Sequence, residues 1–359
     1  MTPPAGKRSG TIVHSTEPLN CEPAPAALAE GSLTATDAFY MRSHGPIPPA
    51  VGEGWTLALD GLVEQPLAVS LDALRAGEHG LRDVAATLQC AGNRRAGLIA
   101  VRDIPGEAPW GPGATGTASW LGCALGELLR AARPRPEAAH VVLVGRDAGP
   151  ESGEPYEVSI PLAKALRDEV LLAWEMNGAP LEPAHGAPLR VVVPGYIGAR
   201  SVKWLERIEL RAEPTRAFFQ DVAYRLLTPE EEPAPGRGVE LGEVALNSEL
   251  LVPSSDEELA AGAATLRGYA FAGGERHVAR VDVSVDGGAS WRQAALGDDL
   301  GRWAWRLWSL DVELAPGEHE VRVRAWDSAA ATQPESAGTV WNPKGYVNNA
   351  QTARTLRVG

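Results

Sequence analysis

One cysteine stands in a stretch whose residue types could do chemistry. In Ala85-Ala86-Thr87-Leu88-Gln89-Cys90-Ala91-Gly92-Asn93-Arg94-Arg95 an apolar approach delivers Cys90 into a short glycine-containing loop followed by two adjacent arginines. Two guanidiniums so near favour the ionised sulfur, the form that acts as a nucleophile or as a ligand for a soft metal. The same residues also read as a buried free cysteine beside a solvated basic pair. A second stretch, residues 185–204, brackets a hydrophobic strand with His185 and Arg190 on one side and Arg200 and Lys203 on the other. Cations at both ends of a short buried strand can converge on a phosphate, the guanidinium as a fork and the ammonium as a point charge; otherwise they are its solvated ends. Arg42 and His44 follow the aromatic run Phe39-Tyr40 and precede the Gly45-Pro46 turn, where they read as a site pair or as an exposed loop pair.

The elements that must position these groups are legible from pattern. Trp55, Leu57 and Leu59 alternate up to Asp60-Gly61, predicting a strand and turn, and Ser70 caps a short helix ending at Gly77. Leu121, Leu125, Leu128 and Leu129 recur at helical spacing. Val141–Val144 reads as a buried strand ending at Gly145-Arg146-Asp147, and Ser159 with Pro161 starts a short helix holding Leu162 and Leu166. Val170 to Met176 runs into the Asn177-Gly178 turn. Trp110-Gly111-Pro112-Gly113-Ala114-Thr115-Gly116 is a glycine-rich turn that either lets backbone amides approach a ligand or is an ordinary loop. Residues 228–236 are acidic and proline-rich, a linker. Beyond them Val281, Val283 and Val285, then residues 303–308, then Val321, Val323 and Ala325 give short alternating strands between Gly and Pro turns. The expected organisation is a flexible arm over residues 1–30, a catalytic domain over 31–235 and a sandwich domain over 236–359.

Composition narrows the function classes. The 359 residues suffice for two domains, and 44% hydrophobic content is that of a globular protein. No apolar run is long enough to span a bilayer, and the N-terminus leads into no cleavable leader, so the expectation is a cytoplasmic protein. A net charge of -13 argues against nucleic acid or anionic lipid as partner, so clustered arginines on such a chain stand out as a local pocket. Cys21, Cys90 and Cys123 are too few for a disulfide framework, and no Cys-x-x-Cys or Cys-x-x-Cys-His spacing suggests structural zinc or covalent haem.

Leu88–Arg95 resembles the molybdenum-ligand loop of the sulfite oxidase family, whose single cysteine binds the metal of molybdopterin. The likeness extends from about Phe39 to about Asn349. Asp37–Pro46 is similar to the family's stretch in which the arginine, here Arg42, lines the substrate pocket while the histidine, here His44, contacts the pterin. Trp110 resembles its pocket-walling tryptophan, and Asp147 sits where the family has a pterin-binding aspartate. His185-Gly186-Ala187-Pro188-Leu189-Arg190 and Gly198-Ala199-Arg200-Ser201-Val202-Lys203-Trp204 are similar to segments that hold the pterin and its phosphate. Tyr224 fills the place of a substrate-pocket tyrosine. Val340–Asn349 resembles a segment that sends an arginine into the pocket; here that residue is Lys344, which keeps the charge and loses the planar fork.

The resemblance implies a mixed α+β, β-rich molybdopterin-binding domain followed by an immunoglobulin-like β-sandwich that often dimerises. It implies a molybdenum centre held by two pterin sulfurs and Cys90, and oxygen-atom transfer that turns sulfite into sulfate. Arg42, Arg95 and Lys344 would form a cationic substrate pocket walled by Trp110 and Tyr224. The pterin-binding set would be Phe39, Arg42, His44, Cys90, Asp147, His185, Arg190, Arg200 and Lys203. With no haem expected, electrons would leave to an external acceptor, a cytochrome c-like carrier or oxygen, from a possible homodimer. Two alternatives stay open: a reductase of the same fold acting on a sulfoxide or other oxyanion, and a cofactor-free β-rich binding protein in which Cys90 is an inert core thiol.

Overall fold

The computed structural model describes residues 4–149, 153–254 and 257–359. After the N-terminal hairpin β1 (Ile12–Thr16) and β2 (Leu19–Glu22) come β3 (Thr56–Gly61), β4 (Leu67–Ser70), α1 (Leu71–Arg75) and β5 (Leu81–Gln89). Then follow α2 (Arg95–Ile99), β6 (Thr115–Ala124), α3 (Leu125–Ala132), β7 (His140–Ala148), β8 (Pro155–Pro161), α4 (Leu162–Ala165), β9 (Leu171–Met176), β10 (Ala179–Pro180), β11 (Arg190–Val192) and β12 (Leu205–Arg211). One five-stranded sheet runs β10-β9-β6-β5 with β11 also on β9; the other runs β4-β3-β12-β7-β8. Among the described residues only the β3/β12 pair in these two sheets is parallel.

These strands form where β-branched and small apolar residues meet a buried face. β5 passes from an exposed start to four consecutive buried residues, Ala86–Gln89, so its last turn delivers Cys90 into the interior. Its neighbour β6 carries the fully buried Trp120, whose indole N–H donates to the Ala86 carbonyl at 3.2 Å. Ser70 caps α1 as expected, its hydroxyl accepting from the Ala73 amide at 3.1 Å. Leu121, expected on a helix with Leu125, lies instead on β6, because an apolar run buried on both faces of a sheet has no period to separate it from a following helix. Likewise β7 continues through Gly145–Ala148, so Asp147 sits on a strand, and Ser159 belongs to β8 rather than capping α4.

The first 30 residues are not the loose arm their composition suggests. From residue 4 onward, beyond residues 1–3 that lie outside the described ones, this segment packs closely. Lys7, Cys21, Glu22 and Leu28 are all buried, and β2 continues into a bridge between Cys21 and Met41. The Glu22 carboxylate accepts from the Gly111 and Gly113 amides at 2.6 and 2.8 Å. The glycine-rich turn thus directs its amides at the protein's own N-terminal hairpin rather than at a ligand. Anchoring by such directed bonds, not by apolar bulk, is why composition misjudged it.

The C-terminal region is a sandwich. A four-stranded sheet containing Asn247–Val252, Gly262–Phe271 and Arg306–Leu314 faces a five-stranded one containing Val278–Ser284, Gly317–Asp327 and Thr352–Val358. Leu266, Val281, Val283, Trp308, Val321, Val323 and Ala325 fill the space between them. The expected strand over 303–308 begins only at Arg306, because the preceding tryptophans pair outward. The Trp303 carbonyl accepts from the Thr87 amide at 2.9 Å and the Trp305 amide donates to the Thr87 hydroxyl at 2.8 Å, so the sandwich grips the strand that carries Cys90. The loop after Cys90 is held from the same side: Val347 N–H donates to the Ala91 carbonyl at 2.8 Å, Asn93 donates to the Tyr269 hydroxyl at 2.8 Å, and Arg94 pairs with Glu249 at 2.7 Å.

Candidate active site

Cys90 opens onto a cleft lined by the Phe39–His44 segment, Asp147, Tyr156, His185, Arg190, the 198–203 loop and Tyr224. Its empty space, open mouth included, amounts to about 690 Å³, within the range of cofactor-sized pockets. Nine residues predicted from sequence meet here: Phe39, Arg42, His44, Cys90, Asp147, His185, Arg190, Lys203 and Tyr224.

At the cysteine end the bonding determines where each proton lies. Cys90 is 7% exposed, and its sulfur accepts from the Gly92 amide at 3.4 Å. Arg42 Nη2 lies 3.1 Å from His44 Nδ1, and a guanidinium only donates, so Nδ1 accepts. Burial, then the charges of Arg42, Lys203 and Lys344, hold His44 well below its ordinary pKa, so the ring is neutral and carries its proton on Nε2. That proton points at the Tyr224 hydroxyl oxygen 2.7 Å away. Tyr224, pushed up to about 12 chiefly by burial, keeps its own hydrogen, which is free to donate into the cleft. Arg42's other partners are neutral too, the Ser43 carbonyl and the Asn20 side chain. Its charge therefore faces the cleft without a carboxylate beside it.

The opposite end gathers cations around few anions. Lys203 donates to the Ser43 hydroxyl at 2.9 Å and the Ala184 carbonyl at 3.2 Å; burial first, then Arg190, lowers it to about 7. Arg190 donates to the carbonyls of His185 and Ser201, while its buried Nε has no acceptor among the described residues. Burial lowers this guanidinium to about 10, so it stays charged at neutral pH. Lys7 donates to the Thr36 and Phe39 carbonyls, both at 2.8 Å, and its nitrogen lies 3.0 Å from His185 Nε2. Among the described residues the one carboxylate lining the cleft is Asp147, raised by burial against the pull of Lys203. A buried guanidinium N–H without an acceptor beside an ammonium is the donor set that a phosphate satisfies.

Several expected site residues lie elsewhere. Arg94 turns away in the left-handed region, φ 64°, and Arg95 donates to the Ala108 and Gly345 carbonyls and pairs with Glu107 at 3.2 Å. Both guanidiniums that were expected to support the sulfur are thus committed to carboxylates and carbonyls. Trp110 is 1% exposed and sits edge-on to His14 at 4.6 Å, behind the cleft rather than walling it. Arg200 is equally buried, bonded to Gln220, Glu240 and the Leu241 carbonyl, because the turn 198–200 points its side chain toward the linker side. Lys344 binds Glu107 instead of entering the lining. Residues that pattern reading missed include Lys7, Ser43, Tyr156, Glu107 and Tyr346. Lys7, Tyr156 and Glu107 lie outside every motif noted in the sequence, whereas Ser43 and Tyr346 sit inside noted stretches but act through partners remote in sequence, Lys203 and Tyr224.

A family model described as an oxidoreductase molybdopterin binding domain matches residues 44–219, and one described as a Mo-co oxidoreductase dimerisation domain matches residues 240–355. The chain is 40% identical to sulfite oxidase of Gallus gallus over 361 residues, covering 96% of this chain and 77% of that protein. It belongs to the sulfite oxidase family. It is also 38% identical to mitochondrial sulfite oxidase of Homo sapiens over 94% of its own length, spanning 64% of the human protein. Among solved structures, the sulfane dehydrogenase SoxCD of Paracoccus pantotrophus superposes with a TM-score of 0.83 at 25% identity, over 97% of this chain and 88% of that one. Membership makes the chain an oxidoreductase with a molybdopterin-binding domain and sets aside the cofactor-free reading.

Proposed function

We propose that this protein oxidises sulfite: sulfite and water yield sulfate, two protons and two electrons, the electrons leaving to a separate acceptor such as a cytochrome c-like carrier or oxygen. The observation that carries the reading is one cleft with two unlike ends. A cysteine sulfur, an unneutralised guanidinium and a free tyrosine O–H meet at one end, and the cations for a phosphate meet at the other. When bound, a molybdenum–pterin group supplies oxygen-atom transfer and takes up the two electrons. In this reading Cys90 ligates the metal, and Arg190, Lys203, His185, Asp147 and His44 hold the pterin and its phosphate. Arg42 and Tyr224 bind the oxyanion, the first by charge and the second by donating its hydroxyl hydrogen. Lys7 keeps His185 oriented. Arg200 and Trp110 support the cleft from behind. The dimerisation-domain match supports a homodimer through the sandwich, and three free cysteines suit a reducing cytoplasm.

Metal and pterin content of the purified protein, followed by sulfite-dependent reduction of an artificial acceptor, tests the proposal. Stoichiometric molybdenum with sulfite turnover is expected. Molybdenum-loaded protein inert to sulfite but able to reduce a sulfoxide would replace this reading with the reductase.

A further inference from the structure

Glu107 lies on the segment before Trp110 and matches no motif noted in the sequence. Its two carboxylate oxygens engage two cations, Arg95 at 3.2 Å and the Lys344 ammonium. This trio adjoins the cysteine end of the cleft through one aromatic step. Arg95 sits 5.2 Å from the Tyr346 ring, and that ring stacks at 5.6 Å on Tyr224. The carboxylate's charge is felt at Arg42, Tyr224 and Tyr346. Two of the three cations expected at the substrate, Arg95 and Lys344, are therefore already paired, while Arg42 has only neutral hydrogen-bond partners among the described residues.

Resting on the sulfite reading, we infer that Glu107 sets the protein's affinity for dianions by keeping Arg95 and Lys344 occupied, so that a dianionic product can leave. The sulfite dianion and sulfate carry the same charge, so at a pH where sulfite is fully ionised extra positive charge at this end would bind both alike. Such uniform binding lowers KM without raising kcat and slows product departure. A carboxylate holding both cations leaves one unpaired guanidinium, enough to attract the substrate and too little to trap the product.

The test is steady-state kinetics of the molybdenum-loaded enzyme with sulfate as inhibitor, at low and high salt. Glu107→Gln is expected to lower sulfite KM and sulfate Ki together, by about fivefold at low salt, with no gain in kcat and with the effect shrinking as salt rises. Lys344→Met leaves half of the carboxylate uncompensated and is expected to shift both constants upward. Opposite signs support the inference. Unchanged constants in either variant, or shifts in the same direction in both, overturn it. A wild-type enzyme that takes up molybdenum but does not oxidise sulfite would instead fail the functional reading, and sulfate binding to that protein, measured by calorimetry, then decides the Glu107 question by the same opposite-sign criterion.

Discussion

The two ends of the cleft treat positive charge differently. At the far end Arg190 and Lys203 line the cleft with Lys7 behind His185; among the described residues Asp147 is the one carboxylate in the lining, its charge opposed by burial, while Glu182 and Asp37 act on Lys7 from outside it. At the cysteine end the arginines that follow Cys90 are each matched, Arg94 by Glu249 and Arg95 by Glu107, with Lys344 sharing the latter. On the proposed function, the contrast follows from what each end would hold, a pterin phosphate at one and the oxyanion substrate at the other. A resident phosphate keeps its place, so uncompensated cations there only strengthen the hold. A substrate that turns over must leave, so surplus cations there would hinder release. Desolvation makes both choices matter, because charges in a water-poor cleft interact far more strongly than at the surface.

The largest test of this contrast removes the group that makes one end chemical. Cys90→Ser is expected to lower turnover at least about a hundredfold while circular dichroism and pterin content stay near wild type; retained activity would merge the two ends into one binding site. Next, Arg42→Gln removes the unpaired guanidinium, and sulfite KM should rise by roughly ten- to a hundredfold, the equivalent of about 1.5–3 kcal/mol for a charge-assisted contact. An unchanged KM would mean the substrate is recognised elsewhere.

Glu249→Gln, by contrast, leaves the buried Arg94 short of its carboxylate and should cost about 3 kcal/mol, read as a Tm several degrees lower with sulfite KM unmoved. A shifted KM with unchanged Tm would instead tie Arg94 to substrate binding. The smallest effect concerns pH. Lys203, lowered to about 7, is charged below that pH and neutral above it. Sulfate, dianionic throughout this range, should therefore bind cofactor-free protein about three- to tenfold more weakly at pH 8 than at pH 6, and Lys203→Met should flatten the profile. Affinity that rises with pH would contradict the assignment of the cation end.

Much of this site was legible because its groups cluster in short motifs. Cys90 follows the largely apolar run Val84-Ala85-Ala86-Thr87-Leu88, and His185, Arg190 and Lys203 flank one buried strand, so local pattern placed them at element ends facing a common space. Arg200 shows the limit. It lies three residues from Lys203, yet a single 3₁₀ turn sends the two side chains to opposite sides. The arm failed for a different reason: Lys7 and Glu22 are buried through hydrogen bonds to groups 29 to 178 residues away, which composition does not register.

The amino-acid sequence by itself determined the kind of protein this is: a family cysteine loop, a short buried strand flanked by cations and a trailing β-sandwich are each written in contiguous residues whose order and spacing suffice. Only the tertiary structure decided which charges act. Whether an arginine is a free cation or half of an ion pair depends on a partner brought from elsewhere in the chain. Glu107 for Arg95, Glu249 for Arg94 and Lys7 for His185 are such partners, and their proximity exists only once the sheets have packed.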